Sequence, residues 1–483
     1  GSIILSGDIG STGQVGVSGV TKIGNAATAE ITFGGSLYRT TGSQTYAALG
    51  TALTDHKGRF DMNSGGTGIK FQTANSDITF STGTIDLADG VDLTVDTDAV
   101  GGAISIGAIR GDSDETVTLD AGTGTTGVGA IGNGTEIGAV SIGSAQDGDI
   151  TLNGNIVATG TVGLDGDVTL GTDISIATTN DAITFDHDID GTQALVLSSG
   201  TGTITVTEDI GTSGTLTALT INADGDTSAG SIILSGDIGS TGQVGVSGVT
   251  KIGNAATAEI TFGGDLYRTT GAATYAASGT APTGQNGSFD MNSGGTDIKF
   301  QSTNSDITFS TGTIDLADGV NLTVDTDTVG GAISIGAIRG ASNETVTLVA
   351  GTGTTAVGAI GSGTEIGAVS IGSVANGDIT LNGNIIATGT VGLDGDVTLG
   401  ADISIAALDA AISFNHDIDG NQALSLSSGT GTITVTENIG TATSGTLTAL
   451  TINAADGETS AGSIVLSGDI GSTGQVGVSG VTK

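Results

Sequence analysis

The chain has 483 residues, 87 of them Gly, with one Pro (Pro282), no Cys, no Trp, ten Phe and four Tyr. Glycine is thus well above its usual share of about 7%, yet there is no G-X-Y period and almost no proline, which excludes collagen. Zero Cys excludes a disulfide scaffold or a thiolate metal site, and no apolar run approaches the roughly 18 residues of a membrane-spanning helix. Eleven Lys plus Arg stand against 51 Asp plus Glu, a net charge of −40. Such a surface repels nucleic-acid phosphates and anionic lipid heads, and it attracts divalent cations or basic partners. With 36% hydrophobic residues and a positive mean hydropathy, the chain is expected to fold rather than stay disordered.

Short apolar–polar–apolar triplets run along the whole chain. In order they include Ile78-Thr79-Phe80, Leu93-Thr94-Val95, Ile104-Ser105-Ile106, Val117-Thr118-Leu119, Val140-Ser141-Ile142, Ile150-Thr151-Leu152, Val168-Thr169-Leu170, Ile183-Thr184-Phe185 and Ile204-Thr205-Val206. Alternation with period two predicts strands with one buried face. Between them stand Asp89-Gly90, Asn153-Gly154, Asp165-Gly166, Asp190-Gly191 and Asp224-Gly225, residue pairs that tolerate positive φ and make tight corners. No helical period is present.

Internal repetition organises these elements. The opening GSIILSGDIGSTGQVGVSGVTK (1–22) returns at 230–251, and returns with one change at 462–483. The sequence therefore divides into repeat units 1–229 and 230–461 and the start of a third at 462–483, and the chain is expected to be a window from a longer tandem array. Targeting signals are expected outside that window, and the lack of Cys suits secretion.

Two all-β architectures fit this pattern: a β-solenoid whose coils stack on one another, and a string of antiparallel sandwiches joined by Asn-Gly and Asp-Gly hairpins. A sandwich interior is usually filled with bulky aromatics, and each unit here holds only a handful. Valine, isoleucine, leucine and alanine fill a narrower solenoid core, and scarce proline suits strands paired on both sides. The expected fold is a parallel β-helix (β-solenoid) of tandem units. With coils of roughly 22 residues stacked at about 4.8 Å, one unit has about ten coils and is about 50 Å long. Thr, Ser and Asn at outward positions are expected to form polar ladders, and the end coils to expose strand edges that a continuing stack would cover.

The series Ile183-Thr184-Phe185, Ile189-Asp190-Gly191, Gln193-Ala194-Leu195, Leu197 and Gly200-Thr201-Gly202-Thr203-Ile204-Thr205-Val206 returns at Ile412-Ser413-Phe414 and Gly429-Thr430-Gly431-Thr432-Ile433-Thr434-Val435, with similar segments at 148–156 and 214–223. This pattern resembles the repeat regions of filamentous-haemagglutinin-like adhesins and other giant bacterial surface proteins, over nearly the whole chain. The resemblance implies a right-handed parallel β-helix outside a bacterium, serving attachment, cell–cell contact or a matrix filament. The secretion domain and carbohydrate-binding tip of that family have no counterpart in the sequence.

Candidate chemistry is sparse. Only three His occur. His56, Lys57 and Arg59 become Gln285, Asn286 and Ser288 in the second unit, so the unit does not require that basic cluster. Asp186-His187-Asp188-Ile189-Asp190-Gly191 reads D-x-D-x-D-G, the first half of an EF-hand loop, but Leu197 stands where its Glu belongs. Its copy offers Asn415, Asp417 and Asp419. These six residues, Asp186, Asp188, Asp190, Asn415, Asp417 and Asp419, are the candidate weak calcium ligands. Strand alternation offers a second account, in which the Asp side chains simply face outward at a corner. Diffuse cation binding along the acidic surface is a third. Tyr38-Arg39 and Tyr267-Arg268 read as a flank where Tyr packs, or as a contact patch. Glycine-rich 122–134 has no following helix to make a phosphate loop, and no Ser–His elbow is present.

These features predict no enzyme and no required cofactor, calcium being the one candidate ion. The expected function is an extracellular structural repeat: an acidic solenoid rod acting as adhesin shaft, matrix or surface filament subunit. Its partners are expected to be other copies of itself, end to end or side by side, and a host or neighbouring cell surface or its glycans, with neither nucleic acid nor membrane insertion. The alternatives are a β-helix enzyme or phage-type fibre acting on polysaccharide, and a surface-layer or sheath protein. A carboxylate cluster in a groove of one unit but missing from its copy would favour the enzyme.

Overall fold

The computed structural model describes residues 1–48, 60–66, 68–144, 148–223, 229–278, 289–295, 297–373, 377–441, 445–453 and 462–483. The basic cluster His56, Lys57 and Arg59, its counterparts Gln285, Asn286 and Ser288, the lone Pro282 and the pair Asp224-Gly225 lie outside them. No helix occurs among the described residues. The chain forms two compact units, Gly1–Ile233 and Leu234–Lys483, with the segment from 462 onward packed in the second.

Each unit is a three-sided parallel β-solenoid. In the first unit one sheet stacks Leu37–Arg39, Ile69–Gln72, Leu93–Asp96, Thr116–Asp120, Ala139–Gly143, Val162–Asp165, Ile183–Phe185 and Ile204–Val206, every neighbouring pair parallel. A second sheet stacks Thr21–Gly24, Gln44–Ala47, the front halves of Ile78–Leu87 and Ile104–Arg110, Thr126–Val128, Ile150–Leu152, Val168–Leu170 and Ile189–Gly191. The third begins with Ser2–Leu5, Glu30–Phe33, Phe60–Met62 and the rear halves of Ile78–Leu87 and Ile104–Arg110. It then runs through bridges at Ile131 to Ile156–Ala158, Ile174–Thr178, Ala194–Ser198 and Ala218–Ile221. The chain visits the three sheets in turn, one strand of each per coil. The antiparallel sandwich alternative is thereby excluded. Asp-Gly pairs are coil corners rather than hairpins: Gly90, Gly166 and Gly191 have φ of 69°, 149° and 141°, which L side chains resist.

The triplets behave as alternation demands. Ile183, Phe185, Ile204 and Val206 are buried while Thr184 and Thr205 face out. Stacking brings the outward residues into register, so that Thr94, Thr118, Ser141, Gly163, Thr184 and Thr205 follow one another up one sheet, a polar ladder with one gap at Gly163. Inside, Val95, Leu119, Ile142 and Leu164 form the matching aliphatic row.

The core is not aliphatic throughout. In the first coils of unit one, Phe33, Tyr38, Tyr46, Phe60, Phe71 and Phe80 all lie within the core in a network of edge-on and stacked rings. Phe262, Tyr267, Tyr275, Phe289, Phe300 and Phe309 repeat it in unit two. Tyr38 packs inside the solenoid, not on its flank: its side chain is fully buried, and its hydroxyl accepts from Gly35 N–H at 2.9 Å and donates to the Leu5 carbonyl at 3.4 Å. Coil length explains the division. Tyr38 and Leu5, on successive coils, are 33 residues apart, whereas Ser175 and Asn155 further along are 20 apart. The longer coils enclose a wider interior that rings are needed to fill.

Candidate cation-binding corners and an acidic groove

Coil corners put carboxylates one above another. Asp188 Oδ1 accepts the backbone N–H of Asp209 at 2.9 Å. Asp190 Oδ1 accepts those of Ser213 and Gly214, both at 3.0 Å, and its Oδ2 accepts the Ser213 hydroxyl at 2.5 Å. In unit two Asp417 Oδ1 likewise accepts from Asn438 N at 2.8 Å and Nδ2 at 3.1 Å. The D-x-D-x-D-G carboxylates therefore reach along the stack to tie down the next coil's corner. Asp186 is exposed, and Asn415 Nδ2 donates to Asp394 at 3.3 Å; Asp419 lies against Gly445. Asp186, Asp188 and Asp190 do not come together as one ligand set. Burial, partly offset by the Asp209 N–H, lifts the Asp188 carboxyl above its ordinary value, and the charges of Asp209, Asp167 and Asp190 lift it further.

Among the described residues, two other groups bring three ligand atoms within 4.8 Å of one another: Asp167 with His187 and Glu208, and Asp89 with Asp114 and Glu115. The first lies beside the motif. His187 stands between carboxylates of the coils before and after it, with Nε2 3.3 Å from Asp165 Oδ1 and Nδ1 3.8 Å from Glu208 Oε2. His416 repeats the stack, 3.4 Å from Asp394 and 3.7 Å from Glu437. In the second group Glu115 is wholly buried; its oxygens accept the N–H groups of Gly90 at 3.2 Å and Asp112 at 2.6 Å, a structural use.

An acidic groove opens on the third sheet. In unit one a cavity of about 420 Å³ is lined by Asp61, Asp86, Asp89 and Arg110 among others. In unit two a cavity of about 640 Å³ is lined by Glu259, Asp290, Asp315 and Arg339. Register puts Asp61 directly beside Asp86 and Asp290 beside Asp315. Arg110 pairs with Asp86 through two hydrogen bonds at 3.1 and 2.9 Å, and Arg339 with Asp315 at 2.9 Å. The groove recurs in both units. Sequence reading missed it because Asp61 and Asp86 become neighbours only once coil lengths are known.

Burial raises the Asp290 carboxyl, and Asp315 raises it further. Glu259 is raised by burial and then by Asp290 and Asp315. A raised folded-state value stabilises the protein below the unfolded value and loses that contribution as pH climbs through the folded one. Removing the charge should therefore help at neutral pH. Asp290→Asn is expected to raise unit-two stability at pH 7 by about 0.2–1 kcal/mol, the range for a directly opposed cross-strand pair, and to gain little near pH 4. Melting curves at the two pH values check this; an equal gain at both would remove the charge explanation.

No family model, curated protein or solved structure matches the chain.

Proposed function

We propose that the chain is a structural repeat segment of an extracellular bacterial surface protein, a solenoid shaft in an adhesin, matrix filament or surface layer. The observation that supports this most is the use of the molecule's polar groups. Strand backbones pair with the coil before and the coil after on three sides, and corner carboxylates are spent on the next coil's N–H groups. Lys70 pairs along the stack with Asp96 at 2.7 Å, and Lys299 with Asp325 at 2.9 Å. Tension along such a ladder is shared by many hydrogen bonds. The location outside a bacterium rests on the resemblance of the repeat to filamentous-haemagglutinin-like regions.

The partners of this role are other copies of the chain, end to end or side by side, and a neighbouring cell surface or its glycans. Within the second unit successive coils pair through Gly263 N–H donating to the Leu234 carbonyl and Ile238 N–H to that of Leu266.

Electron microscopy of the purified chain tests the proposal. Thin particles joining end to end, about 50 Å per unit at about 4.8 Å per coil, are the expected result. Compact, non-associating particles, or cleavage of a polysaccharide by the same preparation, would overturn it.

A further inference from the structure

We propose that Asp167, His187 and Glu208 form a binding site for a divalent transition-metal ion of the zinc class. The three residues come from the corners of three successive coils. Leu164 pairs with Phe185, Phe185 with Val206, and Val168 with Ile189, which stacks the segments 165–167, 186–188 and 207–209. One ligand atom from each residue lies within 4.8 Å of the others. The carboxylates of Asp167 and Glu208 are on the surface and the imidazole is partly covered, its side chain 23% exposed, so small rotations of two exposed side chains bring the atoms onto one ion.

The ligand chemistry selects the metal. One imidazole nitrogen and two carboxylate oxygens, with a position left for water, is a set that zinc and its neighbours accept. Calcium asks for six to eight oxygens, and the Asp186, Asp188 and Asp190 carboxylates that might supply them are not gathered around a point. The surrounding charge favours a cation: Asp165, Asp186, Asp188 and Asp209 lie on the same three corners. The second unit provides an internal contrast. There Asn415 and Asn438 replace Asp186 and Asp209, and the counterparts Asp396, His416 and Glu437 are not among the convergent groups of the described residues. The assignment is therefore to the first unit alone. A metal there would pin three coils together from outside the core, a role that does not depend on where the protein works or what it attaches to.

The test uses the full chain, stripped with chelator and titrated with Zn²⁺ or Ca²⁺ in a calorimeter. Saturable Zn²⁺ binding at one site per chain, not competed by equimolar Ca²⁺, is expected. His187→Ala and Glu208→Gln should each weaken it at least tenfold, and His416→Ala should leave it unchanged. With only three His, Co²⁺ in place of zinc should shift and broaden the His187 ring resonances in the NMR spectrum and not those of His416. That readout reports on contact with the ion rather than on folding. The proposal is overturned by the absence of saturable binding, by undiminished binding in His187→Ala or Glu208→Gln, by equal loss in His416→Ala, or by Co²⁺ shifts shared by all three imidazoles.

Discussion

Phe71→Ala is expected to destabilise the first unit by about 3–5 kcal/mol, the range for truncating a buried aromatic. Phe71 is fully buried and sits at the centre of the ring network. It stacks on Tyr38 at 4.9 Å and meets Phe33, Tyr46 and Phe80 edge-on at 5.1, 5.3 and 4.9 Å. Removing it strips four rings of a partner at once and leaves a hole that the surrounding strands cannot close, because each is held in register above and below. Loss should be local, since in stacked repeats each coil leans on its neighbours. Hydrogen exchange is therefore expected to speed up first in Leu37–Arg39 and Ile69–Gln72, while Ile183–Phe185 keeps its protection. Phe300→Ala should do the same in the second unit, where Phe300 meets the equivalent four rings. A loss below about 0.5 kcal/mol, in the range of ordinary surface substitutions, would mean that the wide coils are not held open by packed rings.

This cluster also marks where sequence reading stopped. Alternation is a property of neighbouring residues, so the strands were legible: Ile78-Thr79-Phe80 and Ile204-Thr205-Val206 are strands with the expected faces. The solenoid class followed from the repeat and from the scarcity of rings and of proline. Register was not legible, because corners vary in length. Ser81 finds Tyr46 on the adjacent coil 35 residues away, Ser175 finds Asn155 at 20. An average coil of about 22 residues hides that difference, and with it the wide aromatic coils. Packing on the flank and an exposed contact patch are the two readings the sequence offers for Tyr38, and the side chain lies inside instead. The same gap hid the corner chemistry. The run Asp186–Gly191 was visible as a motif, but the partners that matter, Asp165, Asp167 and Glu208, are each about one coil away, and nothing in the local run points to them.

Glu115→Ala is expected to cost about 3 kcal/mol, although Glu115 lies in the polar run 111–116. Its side chain is fully buried, Oε1 accepting from Gly90 on the preceding coil and Oε2 from Asp112 in its own corner. Glu344 repeats this with Gly319, Ala341 and Ser342. The carboxylate is thus the acceptor for two corners that have no strand partner there. Hydrogen bonds to a charged group contribute about 1.5–3 kcal/mol each, and the released donors, on the exposed residues Gly90 and Asp112, can turn to water, which keeps the loss at the lower end of the two-bond sum. The site is built to admit nothing bulkier: a Cβ on Gly111 would come within 2.5 Å of Glu115 Oε2, and one on Gly340 within 2.6 Å of Glu344 Oε2. Glu115→Gln keeps one acceptor oxygen and should lose about half as much as the alanine variant. Denaturant midpoints of the two variants separate the causes. If alanine and glutamine cost the same, burial of the side chain rather than capture of the corner N–H groups is what Glu115 supplies, and its role as a tie between successive coils is lost.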